Sequence, residues 1–225
     1  MTLFGPNELA GPAPRREIAP GAIHLPGWLA LSQQAALTAA VAEWSAAPVP
    51  MRAAVLPGGH RMSVQTVCLG WHWRPYRYTR TADDVNGEPV LALPEWIIDL
   101  ARAAVADAYG SNEAIGYRPD AALVNYYSLD ARLGMHQDKD ERAADPVVSL
   151  SVGDSCMFRF GNTDNRGAPY TDIHLGSGDA FVFGRSSRFA YHGVPKLFPH
   201  TAPRGCGLES GRLNITIRVT GLTDT

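Results

Sequence analysis

The sequence predicts an α+β fold, a double-stranded β-helix (jelly roll) core backed by N-terminal helices. Three observations carry this. Helix-period segments occur only in the first half of the chain. From residue 121 onward the chain is a succession of short β-type runs punctuated by Gly, Asp, Asn and Pro. No composition break or repeat marks a second domain. Helices first and many short strands after suit helices packed on a β-sandwich or jelly roll.

In chain order, residues 1–20 are rich in Pro, Gly and Ala and read as an irregular lead-in; residues 21–225 read as one domain. "LSQQAALTAAVAEWSAA" has apolar residues at helical spacing, with Ser32 as the expected N-cap. "PGG" at 57–59 is a turn, and "RMSVQTVCLGWHW" alternates like a strand broken at Gly70. A loop rich in Tyr and Arg follows. "PEWIIDLARAAVADAYG" is the strongest helix, with Pro94 in its first turn and Gly110 as its stop. The runs "AALVNYYS", "VVSLSVG", "CMFRFG", "TDIHLG", "DAFVFG", "FAYHGV" and "LNITIRVTG" then supply a core over about 120–221.

Composition bounds the function. The 225 residues are 45% hydrophobic, ample for a core, and the formal net charge of −2 excludes a protein that coats nucleic acid through a global basic field. A local basic patch remains compatible with it. Cys68, Cys156 and Cys206 are odd in number and form no CxxC pair, which argues against a disulfide framework and for a reducing cytoplasm. No signal pattern and no membrane-length apolar run is visible, so no membrane partner is expected.

The chemistry concentrates in "GMHQDKDE". In extended backbone His136 and Asp138 would share a face. By itself an HxD pair is equally a solvated turn. His192, in the β-type run "FAYHGV", is the best placed third ligand, and two His with one carboxylate leave adjacent positions open, the facial triad of non-haem Fe(II) oxygenases. Zinc would more often recruit cysteine into a closed set. At the chain end Arg212, Asn214 and Arg218 share parity, and two arginines turned into a barrel are costly unless an anion meets them. Asn125 and Tyr127 share parity in "LVNYY" and would add an amide and a phenol. A metal triad beside a bidentate carboxylate cradle predicts Fe(II) with 2-oxoglutarate, O2 being the co-substrate.

These residues resemble the AlkB family of Fe(II)- and 2-oxoglutarate-dependent nucleic-acid dealkylases. "LVNYY", "HQDKDE", "VVSLSVG", "FRFG", "GDAFVFGRSSRFAYHGV" and "RLNITIRVTG" follow the family pattern in order and spacing, and "PGGHRMSV" with "LGWHWRPYRY" is similar to the substrate side of bacterial members. The resemblance covers roughly residues 20 to 221. It implies His136, Asp138 and His192 as iron ligands, and Asn125, Tyr127, Arg212, Asn214 and Arg218 as the 2-oxoglutarate site. It also implies that Asp140 is a catalytic residue at the damaged base and that Trp71 stacks on the flipped base opposite His136. It further implies a substrate-side lid over about 57–90, from which Met62, Ser63, Tyr76 and Tyr78 would hold the nucleotide. Arg74, Arg77 and Arg80, interleaved with aromatics, make a local surface suited to nucleic acid. Tyr126 stands where bacterial relatives often carry Arg, and the lid between Trp71 and Tyr76 is shorter than theirs.

The implied reaction is oxidative removal of alkyl groups from bases such as 1-methyladenine and 3-methylcytosine in single-stranded DNA or RNA. It is coupled to decarboxylation of 2-oxoglutarate to succinate, releases formaldehyde, and would be carried out by a monomer. Two alternatives stand beside it: a 2-oxoglutarate oxygenase acting on a protein or small molecule, and a non-catalytic reader of modified nucleic acid.

Overall fold

The computed structural model describes residues 14–223. Two sheets face each other. The larger is built from β1 (Arg16–Ala19), β2 (Ala22–Leu25), β3 (Arg52–Val55), β4 (Arg61–Leu69), β7 (Ala121–Tyr127), β9 (Val147–Gly153), β12 (Ala180–Phe183) and β14 (Arg212–Arg218). Its order is β1-β2-β12-β9-β14-β7-β4-β3, with every neighbouring pair antiparallel. The smaller takes β8 (Leu133–His136), β10 (Ser155–Phe160), β11 (Thr171–Leu175) and β13 (His192–Phe198) in the order β11-β10-β13-β8. A separate hairpin, β5 (His72–Arg74) with β6 (Arg77–Thr79), lies over one end. The jelly roll is thus the fold adopted.

Period-2 alternation divides the large sheet into two faces. Leu213, Ile215 and Ile217 of β14, with Val148, Leu150 and Val152 of β9, pack outward against α1 (Leu31–Trp44) and α2 (Glu95–Tyr109). α2 presents Ile97, Leu100, Ala101, Ala104 and Val105 at helical spacing. The inner face joins Phe181 and Phe183 of β12 to Phe158 and Phe160 of β10, forming the core between the sheets. That core fills one part of the barrel, and the polar parity of β14 and β7 lines the rest.

Several local expectations need correction. Ser32 is not the cap of α1. The helix begins at Leu31 behind Ala30, and Gln33 reaches back so that its Oε1 accepts the Ala30 N–H at 2.8 Å. Pro94 precedes α2 as its N-cap rather than sitting inside it, while Gly110 (φ 100°) ends it as expected. Residues 1–13 of the irregular lead-in lie outside the described residues, but Arg16–Ala19 is strand, the edge of the large sheet. The span 57–90 is not all lid: Arg61–Leu69 is a strand paired with β7 inside the large sheet. A short helix, α3 (Ser111–Gly116), follows α2, and the run "FAYHGV" becomes strand only at His192.

Candidate active site

β8 and β13 are neighbours in the small sheet, and their register sets His192 opposite His136. The ring centroids are 4.5 Å apart. Strand β8 ends at His136, so Asp138 reaches the site from irregular chain rather than by strand parity. Its backbone is held instead by Arg188, whose Nη1 donates to the Asp138 carbonyl at 2.6 Å and whose Nε donates to the Asp145 carbonyl at 2.7 Å. The ligand atoms of His136, Asp138 and His192 lie within 4.8 Å of one another.

These residues suit a metal. Nδ1 of His136 lies 3.0 Å from the Gly134 carbonyl, and Nδ1 of His192 lies 3.0 Å from that of Ala190. As donors to those carbonyls, both rings keep the lone pair on Nε2, which is how ligating histidines are oriented. The two Nε2 atoms stand 3.6 and 3.7 Å from the Asp138 oxygens. Asp138 Oδ2 is buried and is met by the Arg218 guanidinium as an ion pair without hydrogen-bond geometry. Burial and the neighbouring His136 push the His192 imidazole down to about 4, so it is neutral near pH 7 and able to ligate. Burial raises the Asp138 carboxyl, but Arg218 and the two histidines outweigh it and hold the group well below the usual carboxylate range.

One cavity joins this trio to the inward row of β14 and β7. The register pairs Arg212 with Tyr127 and Asn214 with Asn125. Arg212 is 1% exposed, its Nη2 donates to Ser151 Oγ at 2.6 Å, and its Nε is buried without a partner. Asn214 donates to Ser149 Oγ at 2.7 Å, and Asn125 Oδ1 accepts from Thr66 Oγ1 at 2.8 Å. Arg218 Nη2 lies 2.9 Å from Asp138 Oδ2 and Nη1 2.7 Å from Glu141 Oε1. Its Nε is also buried without a partner. Arg218 thus already meets two carboxylates, whereas Arg212 meets the Ser151 hydroxyl and the Asp154 carbonyl, and a buried guanidinium so placed is costly unless an anion arrives. Phe158, Phe183, Leu133 and Leu175 form the apolar walls.

On the lid side the expected residues divide. Tyr76 stands 69% exposed at the tip of the β5–β6 hairpin, at φ 69°. A tyrosine held in the left-handed region is strained, and such positions cluster at functional sites. Met62 is half-buried, and Ser63 Oγ is tied to Arg132, accepting its N–H at 3.1 Å and donating to its carbonyl at 2.9 Å. Trp71, like Tyr76 and Asp140, stands outside the lining of that cavity. Its indole N–H donates to Asp120 Oδ2 at 3.1 Å, and the Arg80 guanidinium covers its ring at 3.7 Å. Tyr78 is buried beneath the site, its hydroxyl bonded to Glu141. Asp140 is half-buried and accepts the Trp73 indole N–H at 2.8 Å.

Sequence reasoning missed Glu141, Arg188 and Trp73. Glu141 has no exposed side chain and binds Arg218, Arg188 and Tyr78 together. Burial raises its carboxyl, yet Arg218 prevails and the group titrates below its ordinary value. The sequence carried no local signal for it, because its partners are far off along the chain.

Comparison with known proteins agrees with this geometry. The 2OG-Fe(II) oxygenase superfamily model matches residues 21–218. The chain is 39% identical to the alpha-ketoglutarate-dependent dioxygenase AlkB of Salmonella typhimurium, over 84% of this chain and 87% of that one. It is 35% identical to the DNA N(6)-methyladenine demethylase ALKBH1D of Arabidopsis thaliana over 71% of this chain, and there it spans only 40% of the relative's length. The solved structure of OsALKBH1 superposes with a TM-score of 0.82 at 28% identity, covering 92% of this chain and all of that one.

Proposed function

From the premise that the chain belongs to the 2OG-Fe(II) oxygenase superfamily, and within it to the AlkB family, we propose that it oxidatively dealkylates N-alkylated bases in single-stranded DNA or RNA. The observation that carries the reading is the joining, in one cavity, of a metal-suited His136–Asp138–His192 trio to buried arginines with unmet N–H groups. The relatives named as AlkB and as DNA or tRNA demethylases support nucleic acid as the substrate class.

Bound there, iron with 2-oxoglutarate and O2 would supply the oxidation of the alkyl carbon, with succinate and carbon dioxide as co-products and formaldehyde as the leaving fragment. The chain's residues bind and orient. Arg212, braced by Ser151, would take the far carboxylate, with Tyr127 and Asn214 beside it. Arg218 would serve the 2-oxo acid end next to Asp138, and Asn125 would complete the row. Phe158 and Phe183 keep water from the reacting centre. Asp140 would meet the base edge, and Tyr76 would stack on or grip the nucleotide from outside. A base must leave its stack to reach such a cavity, which favours single strands. The active form in this reading is a monomer, and the buried free cysteines fit a reducing cytoplasm.

The test is a panel of methylated DNA and RNA oligonucleotides, single- and double-stranded, incubated with the iron-loaded protein and 2-oxoglutarate. Mass detection should find restored adenine and cytosine with equimolar formaldehyde and succinate. Succinate without base restoration would turn the reading to an oxygenase of another substrate. Oligonucleotide binding without either product would turn it to a reader.

A further inference from the structure

We propose that Trp73 sets which base edges the site accepts, by tethering one oxygen of Asp140 and thereby aiming the other as a fixed acceptor. This rests on the dealkylase reading above. Trp73 is held at three points. Its carbonyl accepts from Arg52 Nη2 at 2.6 Å, its backbone N–H points to Cys68 Sγ at 3.4 Å, and its indole N–H donates to Asp140 Oδ2 at 2.8 Å. Arg52 is itself fixed between His72 Nε2 (3.2 Å) and Asp84 Oδ2 (3.4 Å), at the root of the β5–β6 hairpin. The indole is therefore a rigid donor on a pinned strand, and its acceptor Asp140 lies two residues along the chain from the metal-suited Asp138.

A carboxylate is acceptor-only, and the tether fixes its plane. Adenine and cytosine methylated on the ring nitrogen carry an amino group beside that nitrogen, and its N–H can meet Asp140 Oδ1. Guanine and thymine methylated at the corresponding nitrogen carry a carbonyl there, which would set lone pair against lone pair. A site built to accept an N–H rejects an edge lacking one because its buried polar group is left unpaired. Without the indole N–H the carboxylate can rotate away, and the rejection weakens.

The test is the ratio of kcat/KM for 1-methyladenine over 1-methylguanine in single-stranded oligonucleotides, for the wild type, Trp73→Phe, Asp140→Asn and the double variant. A ratio cancels any loss of active protein, and thermal melts check folding. Trp73→Phe keeps the ring and should lower the ratio about tenfold. The double variant should fall no further than Asp140→Asn alone, since the two act through one contact. A folded Trp73→Phe with the wild-type ratio overturns the inference while leaving the dealkylase reading intact, as does an additive double variant. No turnover of either oligonucleotide by the wild type overturns both.

Discussion

A glutamate without exposed side chain, Glu141, holds two guanidiniums and a phenol, so Glu141→Gln leaves Arg188 and Arg218 short of a countercharge in a buried setting. Removing one partner of a buried ion pair costs about 3–5 kcal/mol, and urea unfolding of the variant should show a loss of that size. Its partners lie 47, 63 and 77 positions away in sequence, so no local pattern could disclose it. Arg212, by contrast, was legible, because an arginine of inward parity asks for an anion. Arg212→Lys keeps the charge but loses the fork, and should weaken 2-oxoglutarate binding by roughly one to two orders of magnitude in a titration with the Mn(II)-loaded protein. Trp71 has its indole N–H bonded to Asp120 and one face of its ring under Arg80, so a base would stack on the opposite face.

Strand β14 separates stability from binding by parity alone. Ile215, fully buried under the helices, should cost about 2–5 kcal/mol when cut to Ala and leave 2-oxoglutarate affinity near wild type in the folded fraction. Asn214→Ala, on the other face, should show the reverse ranking when melting and ligand titration are compared. That alternation was readable in "RLNITIRV", whereas β3, α3 and the start of α1 were not. A four-residue edge strand and a six-residue helix give too few periods, and the Gln33 back-bond lets the helix start behind Ala30, two residues before the expected cap Ser32. At the turn before β12, Asp179 accepts from the Gly27 N–H (2.8 Å), the Gly176 N–H (2.9 Å) and His24 Nε2 (2.8 Å). Burial raises its carboxyl, but these donors prevail and its folded value is depressed. A depressed carboxylate stabilises the fold above its unfolded value, about 3.9, and that contribution is lost as pH falls through the lower folded value. Asp179→Asn should therefore flatten the acid limb of the stability curve below about pH 4 and cost about 1.5–3 kcal/mol at neutrality.

At the scale of the molecule, the fold class was legible because its rule is coarse: helices on one face, alternating strands, and a polar parity that must look inward at something. The lid was less so, since β4 belongs to the large sheet and only the short hairpin and the loop after it remain outside. Among the described residues no helix is long and apolar enough to cross a membrane. A ligand that binds only the folded chain raises its melting temperature by mass action. Mn(II) with 2-oxoglutarate should do so in the wild type, and Asp138→Ala should abolish the metal-dependent part of the shift. The placement of the trio has one more consequence. His136 closes β8, the four-residue edge strand of the small sheet, and His192 opens its only partner there, β13. An ion shared between them is a clip on a sheet margin. Stripping it should therefore remove the mass-action stabilisation and, in addition, accelerate amide deuteration of residues 133–136 more than that of the large sheet, a local fraying that reports metal occupancy where no activity is measured.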